Sequence, residues 1–323
     1  MSNKNISRPL NDKGLIEQFL SKTLGFDKFN ENVVSKINQI ENLIDTYEKK
    51  GQYKNNTFHS EDVRDAKYRE EKLRWKLRDK INKELLTLKR LDDDEKIKLG
   101  KGGALPSSNL KNKKEAVIII GLPASGKSGL SNAIADLTGS LIIDSDYAKR
   151  KLPEFKSEKY LGAYHVHKES SVIVFGNETS HSMGFKPLIE QCCDAKNNIV
   201  LPRIGADLAD IYDIAVILNE KWKYKVHLVL INLDRKVATV RALQRFLKTD
   251  RYIPLGRIFD TYCNECQLTY YRLKNFPQFN KYFDSFAIID TNVEEGNKYN
   301  ILELTQNSPL NKIAGKYGKT GSI

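Results

Sequence analysis

Ala116–Asp146 reads AVIIIGLPASGKSGLSNAIADLTGSLIIDSD, and the reading of this stretch decides the fold. Its first five residues, Ala116-Val117-Ile118-Ile119-Ile120, are too few for a buried helix and rich in β-branched side chains, so they predict a buried strand. Gly121-Leu122-Pro123-Ala124-Ser125-Gly126-Lys127-Ser128 follows and fits the phosphate-loop pattern G-x-x-x-x-G-K-[ST]. A helix is expected to begin there, pass through Gly129, carry Leu130, Ala133, Ile134 and Leu137 on one face, and stop near Gly139. A second apolar run, Leu141-Ile142-Ile143, then delivers Asp144-Ser145-Asp146 to the carboxyl end of a neighbouring strand.

The spacing has a chemical reason. Gly121 and Gly126 let the backbone turn so tightly that successive N–H groups point into one concavity, an anion nest. That nest feeds a helix N-terminus, whose unpaired N–H groups and partial positive charge favour phosphate. Residues 121–129 are therefore the expected nucleotide-binding loop, with Lys127 reaching the β- and γ-phosphates and Ser128 as the ligand to Mg²⁺. ATP or GTP with Mg²⁺ is the implied cofactor set.

Working outward, 323 residues hold one large α/β domain and a smaller module. No apolar run approaches the ~20 residues of a membrane span. The opening MSNKNISRPLNDKG carries no apolar segment of secretory type, and four cysteines, two of them adjacent, make no disulfide framework. A reducing cytosol is the expected location, and delivery by a specialised secretion system is compatible with it. The net charge of +12 invites a nucleic-acid reading. Acids are interleaved with the bases, however, as in Tyr68-Arg69-Glu70-Glu71-Lys72, and no arginine-rich tract stands out. A basic surface that attracts anionic metabolites accounts for the charge equally well, so neither nucleic acid nor membrane is the expected partner.

The first 105 residues read as a helical module. Phe29, Val33, Ile37, Ile40, Ile44 and Tyr47 fall at helical spacing, and a long helix is expected over 60–99 with Leu73, Leu77, Ile81, Leu85 and Leu88 in one stripe. Two such helices predict an antiparallel hairpin, either a stabilising appendage or a regulatory, partner-binding module. Gly, Pro and Ser over 100–108 mark a boundary, with 106–113 as linker and 114–323 as the phosphate-loop domain. Further strands are expected at 198–202, 226–231 and 286–290, separated by helices at 207–219, 235–248 and 256–275. Alternation of this kind predicts an α/β fold with about five parallel strands flanked by helices and joined by right-handed crossovers. The tail from Asn307 reads as frayed.

A phosphate loop alone fits an ATPase, a GTPase switch or a kinase. The chain lacks an Asn-Lys-x-Asp guanine reader, and its third strand ends in Pro202 instead of an acid. Asp146, just beyond the second strand, can orient and deprotonate an acceptor hydroxyl, or else cap the helix behind it. Asp144 is a substrate-side acid or a water-mediated partner of Mg²⁺. Arg245 and Arg251 flank a segment that reads as a lid, and a planar guanidinium meets phosphate oxygens with two donors. His165, His167, Cys192, Cys193, Cys263 and Cys266 supply one Cys-x-x-Cys in a predicted helix, a weak zinc signal that core thiols explain as well.

GLPASGKS, then DSD with a basic segment and LP, then HKESS, then QRF…DRYIP, in that order, resembles the zeta-toxin family of P-loop kinases, many of them toxins of toxin–antitoxin systems. The resemblance covers about 114–295. It implies a P-loop kinase-like fold, nucleotide and Mg²⁺ at Lys127 and Ser128, Asp146 as the base for the acceptor hydroxyl, and Arg245 and Arg251 as phosphate clamps. It also puts Glu169 where the family has a substrate-contacting glutamate, and it implies an antitoxin or chaperone protein as partner. Members that phosphorylate UDP-N-acetylglucosamine carry a second glutamate at the end of the third strand, where this chain has Leu201-Pro202-Arg203-Ile204-Gly205. Arg203 in that place is expected to meet a pyrophosphate. A related effector branch phosphorylates NAD on a ribose hydroxyl. The expected function is a small-molecule kinase, a phosphotransferase acting on an alcohol group of a nucleotide-linked metabolite such as UDP-N-acetylglucosamine. Alternatives are an NAD kinase, a nucleotide-binding regulatory module and a nucleic-acid-binding protein. The N-terminal hairpin lies outside the resemblance; because zeta-type antitoxins are helical, it is expected to restrain the kinase in cis, so its removal is expected to raise activity.

Overall fold

The structure, a computed structural model, describes residues 10–49, 55–156, 160–294 and 297–312. Three helices come first: α1 (Lys13–Gln18), α2 (Glu31–Lys49) and α3 (Glu71–Thr87). Asp12 caps α1 by accepting the Leu15 N–H at 2.9 Å. On α2 the buried stripe is Val34, Ile37, Ile40, Ile44 and Tyr47, and on α3 it is Leu77, Ile81 and Leu85. The helix expected over 60–99 is shorter at both ends. Two 3₁₀ turns occupy 61–63 and 66–68, and Leu88 leaves the helix with extended backbone at ψ 144°. The chain then doubles back, and the N–H groups of Gly103 and Ala104 bond the carbonyls of Lys89 and Leu85. Carbonyls at the end of α3 thus find donors in the Gly-rich segment, which stops the helix early.

β1 (Glu115–Ile120) leads through the phosphate loop into α4 (Lys127–Thr138), β2 (Ser140–Ile142) and α5 (Ser145–Lys151). Four short helices follow, α6 (Gly162–His165), α7 (His167–Phe175), α8 (Glu178–Ser182) and α9 (Leu188–Asp194), before β3 (Asn198–Arg203). α10 (Leu208–Val216) leads to β4 (Lys225–Asn232), which α11 (Arg235–Thr249) follows. The single helix expected over 256–275 is divided: a π turn fills 257–262, Cys263 takes a positive φ of 39°, and α12 (Glu265–Asn275) starts afresh. α13 (Pro277–Asn280), β5 (Ser285–Asp290) and β6 (Asn300–Leu304) complete the described chain, apart from a 3₁₀ turn at Pro309–Lys312.

The sheet has six strands in the order β2-β3-β1-β4-β5-β6. All neighbours run parallel except β5 and β6. The five expected strands are present, and β6 adds an antiparallel edge that the short Asn-Ile-Leu-Glu-Leu pattern did not announce. Asp144–Asp146 are not delivered by a neighbour of β1, because β3 lies between β1 and β2. This order makes β1 and β3 the pair whose outgoing connections leave in opposite directions, the place where open α/β sheets bind ligands. The two strands are closely joined there. The Gly121 N–H bonds the Ile204 carbonyl at 3.0 Å, and a Cβ on Gly205 would sit 2.6 Å from Cβ of Ile120. With φ at 75° as well, Gly205 has no workable replacement.

The hydrophobic core runs without interruption from Ile37 and Ile81 through Ile118 and Leu130 to Leu273. The expected α2–α3 hairpin is not how these helices sit. α3 packs on α5, α7 and α9. Meanwhile α2 bonds the segment behind α11, through Lys36 to Asp250, Glu41 to Tyr252 and Glu48 to Arg257. α3 thus lays its face on helices of the sheet domain, while α2 packs on α1 and is tied to that domain by polar bonds. Among the described residues no helix is long and apolar enough to cross a membrane.

Candidate active site

The phosphate loop closes on strained backbone. Ala124 has φ of 61° and Gly126 of 88°, a left-handed pair that turns successive N–H groups inward. For alanine this conformation costs on the order of 1 kcal/mol, strain of the kind found at ligand-binding turns. The Lys127 ammonium donates to the carbonyls of Gly121 and Leu122, both at 2.6 Å. Burial pushes its pKa down to about 8, against the opposing pull of Cys266 and Asp144. From the far side Thr291 Oγ1 donates to the Ser125 carbonyl at 2.8 Å, and Arg241 Nη2 holds the Thr291 carbonyl at 2.9 Å. The loop is therefore braced by the chain that follows β5. Ser128 is exposed on the first turn of α4.

The two acids beyond β2 have different tasks. Asp144 caps α5, its Oδ1 accepting the Asp146 N–H at 2.8 Å. Asp146 is thereby released from capping. Its carboxylate meets Lys149 Nζ at 2.7 Å and Arg251 Nη2 at 2.8 Å. Burial and the adjacent Asp146 charge raise the Asp144 pKa. For Asp146 burial acts in the same sense, but Lys149, Arg251 and Arg150 outweigh it and hold the carboxyl far below the usual range. One acid leans toward protonation and the other stays ionised, a division that suits proton chemistry.

Arg251 has a second partner, with its Nη1 2.7 Å from Glu95 Oε1, and Arg150 Nη2 approaches the same oxygen at 3.2 Å. Arg245 completes the group. Its Nε and Nη2 are buried and find no acceptor among the described residues. Burial and the charge of Arg251 bring its pKa down to about 10, partly offset by Glu95 and Asp146. A guanidinium held this way is short of anions, and the donor set of Lys127, Arg245 and the loop N–H groups fits a nucleotide polyphosphate. Ser128 and Asp144 are oxygen ligands of the kind a phosphate-bound Mg²⁺ takes. Among the described residues no group of three or more His, Cys, Asp or Glu is arranged to hold a metal by itself.

Two expected residues lie elsewhere. Glu169 has no exposed side-chain surface, and its oxygens accept from Arg74 Nε at 2.7 Å, Arg74 Nη2 at 2.5 Å and Arg78 Nε at 2.7 Å. Docking of α3 on α7 turns it into a buried ionic partner, so it does not face a substrate here. Arg203 forks onto Asp210 at 2.7 and 2.8 Å and covers the Phe175 ring at 4.7 Å, which commits its donors within the fold. Conversely, Lys149, Arg150 and Glu95 carry weight that the sequence reading had not assigned to them. The basic run behind DSD was a signal for the first two. Glu95 had none, because its partners lie 55 and 156 positions away.

The zeta toxin family model matches residues 104–285. No curated protein sequence matches the chain. Among solved structures, one from a study of the PezAT chromosomal toxin–antitoxin system of Streptococcus pneumoniae is 11% identical, covers 65% of this chain and 80% of its own, and gives a TM-score of 0.45. The AvrRxo1-ORF1:-ORF2 complex is 19% identical over 77% of this chain and 72% of that one, at 0.43. A gluconokinase from Sinorhizobium meliloti 1021 is 13% identical over 57% and 86%, at 0.28. With every TM-score below one half, these are partial likenesses.

Proposed function

We propose that this chain, which belongs to the zeta toxin family, is a kinase that moves the γ-phosphoryl group of ATP or GTP to a hydroxyl of a nucleotide-linked metabolite. The observation that carries this reading is the ionised Asp146 carboxylate, free of capping duty, bridged by Arg251 and flanked by Lys127 and the orphaned Arg245. The phosphate-loop N–H groups and Lys127 hold the nucleotide's β- and γ-phosphates, and Arg245 and Arg251 neutralise the oxygens of the group in transit. Asp146 Oδ2 accepts the acceptor hydroxyl's hydrogen bond and then its proton as the new O–P bond forms. The bond from phosphorus to the β–γ bridging oxygen breaks, and the nucleoside diphosphate leaves with that electron pair. Mg²⁺, held at Ser128 and through Asp144, would supply charge neutralisation to the phosphates. Arg251 must loosen its pairing with Asp146 for the acid to regain basicity, so arrival of phosphate and activation of the base are linked.

An NAD-type acceptor is the second reading: β3 ends in Pro202 and Arg203, not in the second glutamate carried by the relatives that phosphorylate UDP-N-acetylglucosamine, and Glu169 is sealed behind arginines. A protein antitoxin or chaperone as partner belongs to the same proposal. Mass spectrometry of a pool holding UDP-N-acetylhexosamines and NAD, incubated with ATP, Mg²⁺ and protein beside an Asp146→Ala control, tests the reading. One compound gaining a phosphate only with the unaltered protein supports it. Nucleotide binding with no nucleoside diphosphate released and no acceptor gaining a phosphate would overturn it in favour of a binding module.

A further inference from the structure

Glu95 sits on a 3₁₀ turn, Asp94–Lys96, outside the span matched by the family. That turn is anchored: Asp93 Oδ1 accepts the Glu95 N–H at 3.0 Å, and the Tyr147 hydroxyl donates to Asp94 Oδ1 at 3.1 Å. It presents one carboxylate oxygen to two guanidinium groups, Arg251 Nη1 at 2.7 Å and Arg150 Nη2 at 3.2 Å. Arg150 is 5% exposed and its Nε has no acceptor among the described residues, while Arg245 nearby is orphaned at two nitrogens. Glu95 and Asp146 share Arg251 between them, yet Arg150 Nε and two nitrogens of Arg245 still lack an acceptor among the described residues, so the group holds donors to spare for an anion. The Glu95 side chain keeps 42% of its surface exposed, so it can leave without opening the core.

We propose that Arg150 and Arg251 form a cradle for a phosphate of the acceptor, and that Glu95 is a built-in carboxylate that fills the cradle until a phosphate displaces it. The chemistry recognised is a phosphate or pyrophosphate group, and the inference rests on the kinase reading above for calling its bearer an acceptor. Position argues for the acceptor over the nucleotide. Arg251 holds Asp146 on one nitrogen and Glu95 on the other, so the Glu95 oxygen lies one guanidinium width from the base. Arg150 stands on α5 with Asp146 and donates to its carbonyl at 3.2 Å. Lys127, which serves the nucleotide, is turned to its own loop carbonyls. Glu95 then sets specificity: an acceptor must bring enough negative charge to outcompete a carboxylate already in place.

Inorganic pyrophosphate is the probe, titrated calorimetrically into full-length protein carrying Lys127→Ala so that the phosphate loop is disabled. On that background Glu95→Gln is expected to tighten pyrophosphate by about tenfold, the effect of removing one charge-assisted competitor. Arg150→Gln should abolish the binding, and Arg251→Gln, at a half-exposed position, should do the same if the buried Arg150 variant fails to fold. Equal affinity with and without Glu95→Gln, or binding that survives both arginine changes, overturns the proposal. A second arm uses the intact loop, with ADP and a non-hydrolysable ATP analogue as ligands. Glu95→Gln should leave ADP affinity alone and tighten the analogue by less than it tightens pyrophosphate, since of the cradle only Arg251 also meets the group in transit; tightening of the analogue as large as that of pyrophosphate would assign the cradle to the donor's terminal phosphate and overturn the acceptor assignment. Neither arm involves turnover, so an inactive kinase and an absent cradle give different results.

Discussion

Arg74 and Glu169 meet with no exposed side-chain surface on either partner, bound through Nε–Oε1 at 2.7 Å and Nη2–Oε2 at 2.5 Å. Arg74 also forks onto Glu154 at 2.7 and 3.1 Å. One residue of α3 therefore bridges two buried carboxylates of the sheet domain, with Arg78 as the second cation on Glu169. Arg74→Ala takes the arginine from Glu154 and leaves Glu169 with Arg78 alone, and breaking a buried pair by removing one side costs about 3–5 kcal/mol. Chemical denaturation should show that loss. A loss below about 1 kcal/mol would mean that water reaches the carboxylates and the cluster is loose.

The same cluster predicts acid lability. Burial would raise the Glu169 pKa, yet hydrogen bonds and charge from Arg74, with Arg78, bring it down to about 2. A folded-state pKa below the unfolded value adds stability that is complete above the unfolded pKa and disappears as pH falls through the folded one. The window is from about pH 4.5 down to about pH 2, and the shift is worth on the order of 3 kcal/mol. Thermal melts across that window should fall steeply for the unaltered protein and more gently for Glu169→Gln. Parallel curves would remove Glu169 as the cause.

Deleting residues 1–105 should leave an insoluble or unfolded chain, not a more active kinase. The deletion takes Arg74 and Arg78 from Glu169, Arg74 from Glu154, and the apolar face of α3 from α5, α7 and α9. It also frees Arg251 from Glu95. Gel filtration and circular dichroism of the truncated protein decide the matter. A folded fragment with raised turnover would restore the N-terminal helices as a removable restraint.

What was legible in the sequence is what short-range pattern encodes. The buried run before Gly121, the loop to Ser128 and the stripe Leu77-Ile81-Leu85 each carry their own signal, and each forms the element it predicts. The family resemblance gave Asp146 the base's role and Asp144 a supporting one, but the local pattern did not say which of them caps α5, since either acid can; which one does depends on where β2 releases the chain. Glu169 misled for another reason. An acid two residues into a helix looks exposed until α3, some 95 positions earlier, lays an arginine on it. β6 is five residues long and needs β5 as its template.

Asp144 and Asp146 should therefore respond differently to substitution. Asp146→Asn keeps α5 capped, so nucleotide affinity and folding should persist while turnover falls by about 10²–10⁴. Asp144→Ala removes the cap and should cost about 1 kcal/mol of stability. A nucleotide-binding titration, a coupled assay for diphosphate release and a denaturation curve on both variants separate the roles. Unchanged turnover in Asp146→Asn would take the base away from this residue.

Lys127 gives nucleotide binding a pH signature. With no phosphate bound, burial holds its pKa at about 8, so above that pH the side chain is largely neutral. A bound polyphosphate stabilises the ammonium and raises this pKa, which makes binding at higher pH take up a proton. Affinity should be flat below about pH 8 and then fall by up to tenfold per pH unit until the bound-state pKa is reached. The nucleotide's phosphates are already ionised in that range and contribute no titration of their own. Titrations of a fluorescent nucleotide at about pH 7 and about pH 9.5, repeated with Lys127→Arg, check the assignment. The arginine variant stays charged throughout and should lose the pH dependence even if it binds more weakly. The same slope in both proteins would move the titrating group away from Lys127.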